Sequence, residues 1–257
     1  MIKLIVSDID GTLLQDGEKD ISPVIFCEIH RLREKGLIFC PASGRQYNSL
    51  RGLFAPIADE LTYLCDNGSI LYGPGNPGPI LSKTVMDRDA AIALSYDILA
   101  DPQCEVLLSG ANMDYLCSRD SALADRIRYF TGYNLTSIRR PEDVPEEIIK
   151  VSAYCRQGAA VFAPAIAPRW ADRFFAAVAG QAWLDFNNAT KGTGLQELCR
   201  VFSIAPDEVM AFGDNYNDLP MLDFAGHPYL MAGASAALRE SHPFPLCRRV
   251  EDILQTL

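Results

Sequence analysis

Residues 4 to 12 impose the tightest constraint on this chain. Leu4, Ile5 and Val6 form an unbroken, β-favouring apolar run without polar alternation, as expected of a strand buried on both faces of a parallel sheet. The run breaks into Ser7, Asp8, Ile9, Asp10, Gly11 and Thr12. Two carboxylates therefore stand one residue apart at the carboxyl end of a strand, the edge at which open α/β sheets hold their ligands. Acids that close repel each other unless something positive sits between them, and the adjoining residues supply no such side chain. A divalent cation is the expected partner, and Gly11 lets the backbone leave the strand sharply.

With 257 residues and 49% hydrophobic content the chain can bury a substantial core, either as one large domain or as a core carrying an insertion. The net charge of −10 argues against nucleic acid or an anionic membrane surface as a partner, because Arg139–Arg140 and Arg248–Arg249 are isolated pairs and form no basic patch. The eight cysteines are scattered and none forms a C-x-x-C pair, so they read as buried free thiols of a reducing cytoplasm. The start of the chain carries no secretory-signal pattern, and the apolar stretch from Gly158 to Pro168 is interrupted by prolines and well short of the ~20 residues a membrane helix needs. The expectation is a cytoplasmic protein. His30, His227 and His242 read as structural or exposed, and Trp170 and Trp183 as packing residues.

Ser22–Pro23 is a helix start, Ile25, Ile29 and Leu32 recur at helical spacing, and Gly36 ends the helix before a second apolar strand, Leu37 to Cys40. Those two strands should lie parallel, which brings Ser43, Gly44 and Arg45 to the same sheet edge as Asp8 and Asp10. A short helix over 48–54 precedes a hairpin, Tyr63–Cys65 and Ile70–Tyr72, turning at Asn67-Gly68. The Gly- and Pro-rich residues 73–79 then lead to a change of texture. Residues 84–187 read as a separate α+β module, with helices near 89–99, 123–130 and 168–179 and strands near 105–108, 115–117, 150–155 and 182–186. The core pattern resumes with a helix over 192–202, a strand over 208–212 that ends at Gly213-Asp214, a strand over 229–231, and helices near 234–241 and 251–257. The fold expected is an α/β, doubly wound, Rossmann-like parallel sheet formed by residues 1–83 and 188–257, with residues 84–187 inserted as an α+β cap.

Four groups thus fall at strand ends or helix starts: Asp8/Asp10, Ser43-Gly44-Arg45, Lys191, and Gly213-Asp214 with Asn217-Asp218. Each alone is explained by capping or by a solvated charge. Together they answer the needs of phosphoryl transfer, which are oxygen ligands for Mg²⁺, a nucleophile, an acid/base, and donors for the non-bridging oxygens.

These motifs resemble those of the haloacid dehalogenase superfamily, and within it the Cof-type sugar phosphatases. The resemblance covers about residues 1–72 and 188–240 and is weak across the middle module. It implies that Asp8 is the nucleophile, forming an aspartyl phosphate, and that Asp10 protonates the leaving oxygen and then activates water. It further implies Mg²⁺ held by Asp8, the Asp10 carbonyl and Asp214, phosphate held by the Ile9 amide, Ser43, Gly44, Lys191 and Asn217, Arg45 on the substrate, and Asp218 as a support behind the ligands. Asp10 and Ser43 lie 33 positions apart and Ser43 and Lys191 148 apart, which implies a cap inserted after the second motif. Gly233-Ala234 replaces a frequent Gly-Asn, and Asn187 to Thr190 replaces a more usual acidic, glycine-containing lead to the lysine. The expected function is Mg²⁺-dependent hydrolysis of small phosphorylated metabolites, sugar phosphates foremost. Two alternatives are a hexose phosphomutase of the same superfamily and a phosphoacceptor or binding domain that does not turn over. Asp10 and the large insertion weigh against the second.

Overall fold

A computed structural model describes residues 1–15, 17–111, 113–131, 134–179 and 181–257. The chain divides into two compact units, one of Met1–Ser82 with Thr190–Leu257 and the other of Lys83–Ala189.

In chain order the first unit contains β1 (Leu4–Ser7), α1 (Pro23–Glu34), β2 (Ile38–Pro41), α2 (Tyr47–Leu53), β3 (Tyr63–Cys65) and β4 (Ile70–Tyr72), with β5 (Ile80–Lys83) at the boundary. The second unit holds α3 (Arg88–Leu99), β6 (Cys104–Ser109), β7 (Asp114–Cys117), α4 (Leu123–Thr131), β8 (Leu135–Ile138), β9 (Lys150–Cys155), α5 (Ala159–Trp170), β10 (Phe175–Ala179) and β11 (Trp183–Asn187). The chain returns to the first unit with α6 (Lys191–Phe202), β12 (Val209–Gly213), α7 (Leu219–Phe224), β13 (His227–Met231), α8 (Ala236–Ser241), β14 (Leu246–Cys247) and α9 (Val250–Leu254).

The first unit is built on a five-stranded sheet of order β14-β13-β12-β1-β2, parallel throughout. Its middle follows from the opening apolar run: Leu4, Ile5 and Val6 are 0–1% exposed, so both faces are covered, as an unalternating strand requires. Leu4 and Val6 pack with Leu195, Leu198, Val209, Ala211 and Met221, while α1 buries Ile25, Ile29 and Leu32. Ser22 caps α1 by accepting from the Val24 amide, with proline next in line. β3 and β4 pair antiparallel, as the Asn-Gly turn predicts, and β5 extends them into a three-stranded sheet.

The second unit has a six-stranded sheet of order β10-β11-β9-β6-β7-β8, antiparallel except for the β7–β8 pair. One face, carrying Val106, Leu108, Val151, Ala153, Leu184 and Phe186, packs with Leu94, Ile98 and Ile166 of α3 and α5. On the other, Leu107 and Leu116 pack with Leu123, Ala124 and Ile127 of α4.

The helix expected over 168–179 is corrected. The helix there is α5, at Ala159–Trp170, and it keeps Pro164 and Pro168 inside. Each proline removes one backbone donor, but Ala159, Ile166, Phe162 and Ala163 of this helix lie against the apolar face of the sheet, and that packing outweighs the lost bonds. Phe175–Ala179, alanine-rich and helix-favouring by propensity, is a strand because it pairs with β11 residue for residue from Phe175↔Asn187 to Ala179↔Trp183. β5, β8 and β14, of two to four residues each, lack a periodic signal and were not expected. Among the described residues no helix is long and apolar enough to cross a membrane.

Candidate active site

Because β1, β2 and β12 run parallel, their carboxyl ends reach one edge of the sheet. Asp8 follows β1, Ser43 comes two residues after β2, and Asp214 follows β12. Lys191 is the first residue of α6, whose start is fixed by Thr190 accepting from the Thr193 amide.

The positive charge missing beside the two aspartates arrives from far along the chain. The Lys191 ammonium, fully buried, donates to Asp8 Oδ1 and to Asp218 Oδ1, each at 2.5 Å. Asp218 spends its other oxygen, Oδ2, on the amides of Asp214 at 2.9 Å and Asn215 at 3.0 Å, so it fastens the loop that carries Asp214. Burial alone would lower the Lys191 pKa, but Asp218 and Asp8 more than offset it, and the ammonium is held charged above the ordinary lysine value. Asp8 moves the other way: burial, together with the negative charge of Asp218, drives its pKa well above the usual carboxylate range despite Lys191. Asp214 is raised to about 6, by burial first and Asp218 second.

Asp8, Asp214 and Asp218 each place a carboxylate oxygen within 4.8 Å of the others. With Asp218 committed to Lys191 and two amides, Asp8 and Asp214 are the pair able to take a cation. Asp8 Oδ2 is buried and receives no hydrogen bond. Gly11, at φ +93°, has no room for a Cβ because the Asp214 carboxylate occupies that space. An orphaned buried oxygen, a second carboxylate seated in a glycine cradle, and an all-oxygen donor set fit a hard divalent cation such as Mg²⁺.

Asp10, with a side chain 56% exposed, is gripped by Arg45 through a fork: Nη2 to Oδ1 at 2.5 Å and Nε to Oδ2 at 2.8 Å. The structure thus places Arg45, expected on the substrate, against Asp10. Ile9 is buried, and its carbonyl accepts from the Thr12 and Leu14 amides, closing the turn that carries both aspartates. Ser43 is buried, its hydroxyl accepting from the Arg45 amide. Asn217 donates through Nδ2 to Asn67 Oδ1 at 3.3 Å.

The sequence reading missed two groups here. Thr12 donates to Asp214 Oδ1 at 3.4 Å. Asn67, read only as a turn residue, meets both Asn217 and Gly44; its sequence signal is the run Asp66-Asn67-Gly68, three residue types that all tolerate left-handed backbone.

A buried lysine between two carboxylates, with an acidic cluster beside it able to hold a cation at the carboxyl edge of a parallel sheet, is the arrangement expected of a hydrolase of the haloacid dehalogenase type. The chain belongs to that family, the haloacid dehalogenase-like hydrolases, whose profile matches residues 5–244. An Escherichia coli K12 protein named 5-amino-6-(5-phospho-D-ribitylamino)uracil phosphatase YbjI is 26% identical over 250 residues, covering 92% of this chain and 88% of that one. The Bacillus subtilis phosphatase of the same name, YitU, is also 26% identical, over 92% of this chain and 89% of its own. A crystallised Eubacterium rectale protein superposes with a TM-score of 0.85 at 31% identity, covering 99% of this chain and 98% of that one.

Proposed function

We propose that this hydrolase is a Mg²⁺-dependent phosphatase of small phosphorylated metabolites, with phosphate esters of sugars and polyols as its substrate class, working through a phosphoryl group carried on Asp8. The observation that carries the reading is Lys191, buried between Asp8 and Asp218. A fixed ammonium beside a buried carboxylate is what an incoming phosphate ester needs in order to approach that carboxylate. Two relatives named as phosphatases of a ribityl phosphate support the substrate class.

In this mechanism Ser43, Gly44, Lys191 and Asn217, with the Ile9 amide, hold the phosphate oxygens. Asp8 forms a bond to phosphorus as the bond to the ester oxygen breaks. Asp10, its side chain 56% exposed, takes up a proton from solvent once released from the Arg45 fork and gives it to that oxygen. The ionised Asp10 then takes a proton from the water that attacks phosphorus, which frees inorganic phosphate and restores both aspartates. Mg²⁺, held by Asp8, Asp214 and the Asp10 carbonyl, would supply charge neutralisation at the phosphate oxygens.

Hydrolysis of p-nitrophenyl phosphate is expected to stop in chelator and return with Mg²⁺. Asp214→Ala should raise the Mg²⁺ concentration for half-maximal rate by at least about 10–100-fold, since loss of a direct ligand costs no less than loss of a group behind one. An unchanged Mg²⁺ titration would remove Asp214 from the ligand set.

Substrate choice is assigned to the second unit. The face of its sheet turned from α3 and α5 carries Ser109, Ser152 and Asp185, all under 7% exposed, with Ser152 donating to Asp185 at 2.6 Å. Burying such groups costs stability unless they are hydrogen-bonded, and Ser109 Oγ is buried with no partner among the described residues, as suits a group kept for a ligand. Asp185→Asn is expected to reorder activity across a panel of phosphorylated metabolites while p-nitrophenyl phosphate hydrolysis persists. An identical ranking would take Asp185 out of substrate recognition.

A further inference from the structure

The turn joining β3 to β4 is built in an unusual backbone conformation and is keyed to three separate segments of the site. Asp66, Asn67 and Gly68 have φ of 49°, 55° and 96° in succession, a left-handed run that persists only where its surroundings hold it. The Asn67 amide donates to the Ser43 carbonyl at 3.0 Å and the Asp66 amide to the Arg45 carbonyl at 3.2 Å, so the turn is laced to the loop after β2. A Cβ on Gly44 would lie 3.1–3.4 Å from the Asn67 carboxamide, and that side chain therefore sits flat against Gly44. Gly68 abuts the Thr190 carbonyl, with the Lys191 amide 3.3 Å from where its Cβ would be, which seats the turn on the start of α6. The fourth link is the bond from Asn217 Nδ2 to Asn67 Oδ1. Asn67 is 7% exposed.

We infer that Asn67 is a positioning residue of the phosphate site, acting through Asn217 and Gly44; the inference rests on the reading of those groups as phosphate ligands. A carboxamide nitrogen has two hydrogens. By accepting one, Asn67 fixes the rotation of the Asn217 amide and leaves the other free to meet a phosphate oxygen. By filling the space beside Gly44 it fixes the course of the Ser43–Gly44 segment. Asparagine suits the position twice over, as a residue that tolerates left-handed backbone and as one whose carbonyl can accept from Asn217.

The two roles separate by substitution, because Asn67→Gly keeps the backbone freedom and removes the carboxamide. Full-length protein with Mg²⁺ is assayed for inhibition by inorganic phosphate, for kcat and KM on p-nitrophenyl phosphate, and for melting temperature. Asn67→Gly should melt near the parent yet bind phosphate about 3- to 10-fold more weakly, the size of one hydrogen bond. Asn67→Asp, which sets a carboxylate beside the anion, should bind more weakly still. Asn217→Ala should weaken phosphate by itself, and adding Asn67→Gly to it should cost less than the two losses multiplied, since both act on one interaction. Parent-like phosphate inhibition in both Asn67 variants, or fully multiplicative losses in the double variant, would overturn the inference. Parent-like inhibition in Asn217→Ala would instead overturn the phosphate-site reading and the inference with it.

Discussion

Asp8→Asn is expected to give a protein that melts higher than the parent in chelator and does not turn over. The two results share a cause. A buried carboxyl with its pKa driven up by burial and by Asp218 favours the protonated form, so at neutral pH, above that raised value's unfolded counterpart, its ionised form costs the folded state stability. A neutral amide of the same shape removes that cost, and the ammonium of Lys191 keeps Asp218 as its partner. The same amide is a poor nucleophile, and losing a covalent nucleophile costs on the order of 10⁶ in kcat. Under the proposed roles, Asp10→Asn should behave differently, keeping the nucleophile and losing the proton donor and base, a loss of roughly 10²–10⁴. With an activated leaving group its first step needs little protonation, so phosphoenzyme should accumulate. Rapid acid quench with labelled substrate reads this directly: label on Asp10→Asn and none on Asp8→Asn. Equal labelling of both, or label on Asp10 of the parent, means the two carboxylates have exchanged roles, and a lower melting point for Asp8→Asn would show that the Lys191 contact stabilises the fold more than burial of the charge costs it.

Lys191→Met should be the most destabilising single change at the site. It leaves Asp8 and Asp218 buried with the negative charge of Asp214 close by and no cation among them. Breaking a buried pair from one side costs about 3–5 kcal/mol, which for a protein of this size lowers the melting point by about 6–20 °C. Mg²⁺ should restore part of that loss by returning positive charge to the cluster, and it should do so more strongly than in the parent. Thermal melts of both proteins with and without Mg²⁺ test this, and a variant that melts with the parent in chelator would sink it. Under the proposed role of Lys191 in drawing phosphate toward Asp8, activity should be lost in either condition.

The parts of this site that could be read from the residues are those written locally. An unalternating apolar run ending in acids marks β1 and Asp8, and the same pattern marks β12 and Asp214, because a strand buried on both faces has no other way to show itself. What could not be read is pairing across the chain. Arg45 gripping Asp10 and Lys191 lying between Asp8 and Asp218 depend on where three strand ends and a helix start meet, which no spacing reveals. Asn67 was hidden for another reason: Asn-Gly between two strands already has a sufficient local explanation. The helix expected over 168–179 failed where local preference and packing disagree, with Pro164 and Pro168 arguing against α5 and the alanines of β10 arguing for a helix that sheet pairing forbids.

The order of the central strands has a consequence for how the protein is made. β1 and β12 are neighbours, Leu4 beside Val209, yet ribosomes adding about 5–20 residues per second need about 10–40 s to pass from one to the other. During that interval β1 can pair with β2, while its other flank and its apolar side chains wait for a partner not yet translated. The six strands of the second unit all lie between Cys104 and Asn187, so that unit can fold on the nascent chain before β12 exists. Asp8 stays without Asp214 and Asp218 until the loop after β12 emerges. A stalled chain would then hold a finished second unit and an exposed, half-built sheet, which makes the first unit the part more open to aggregation during synthesis.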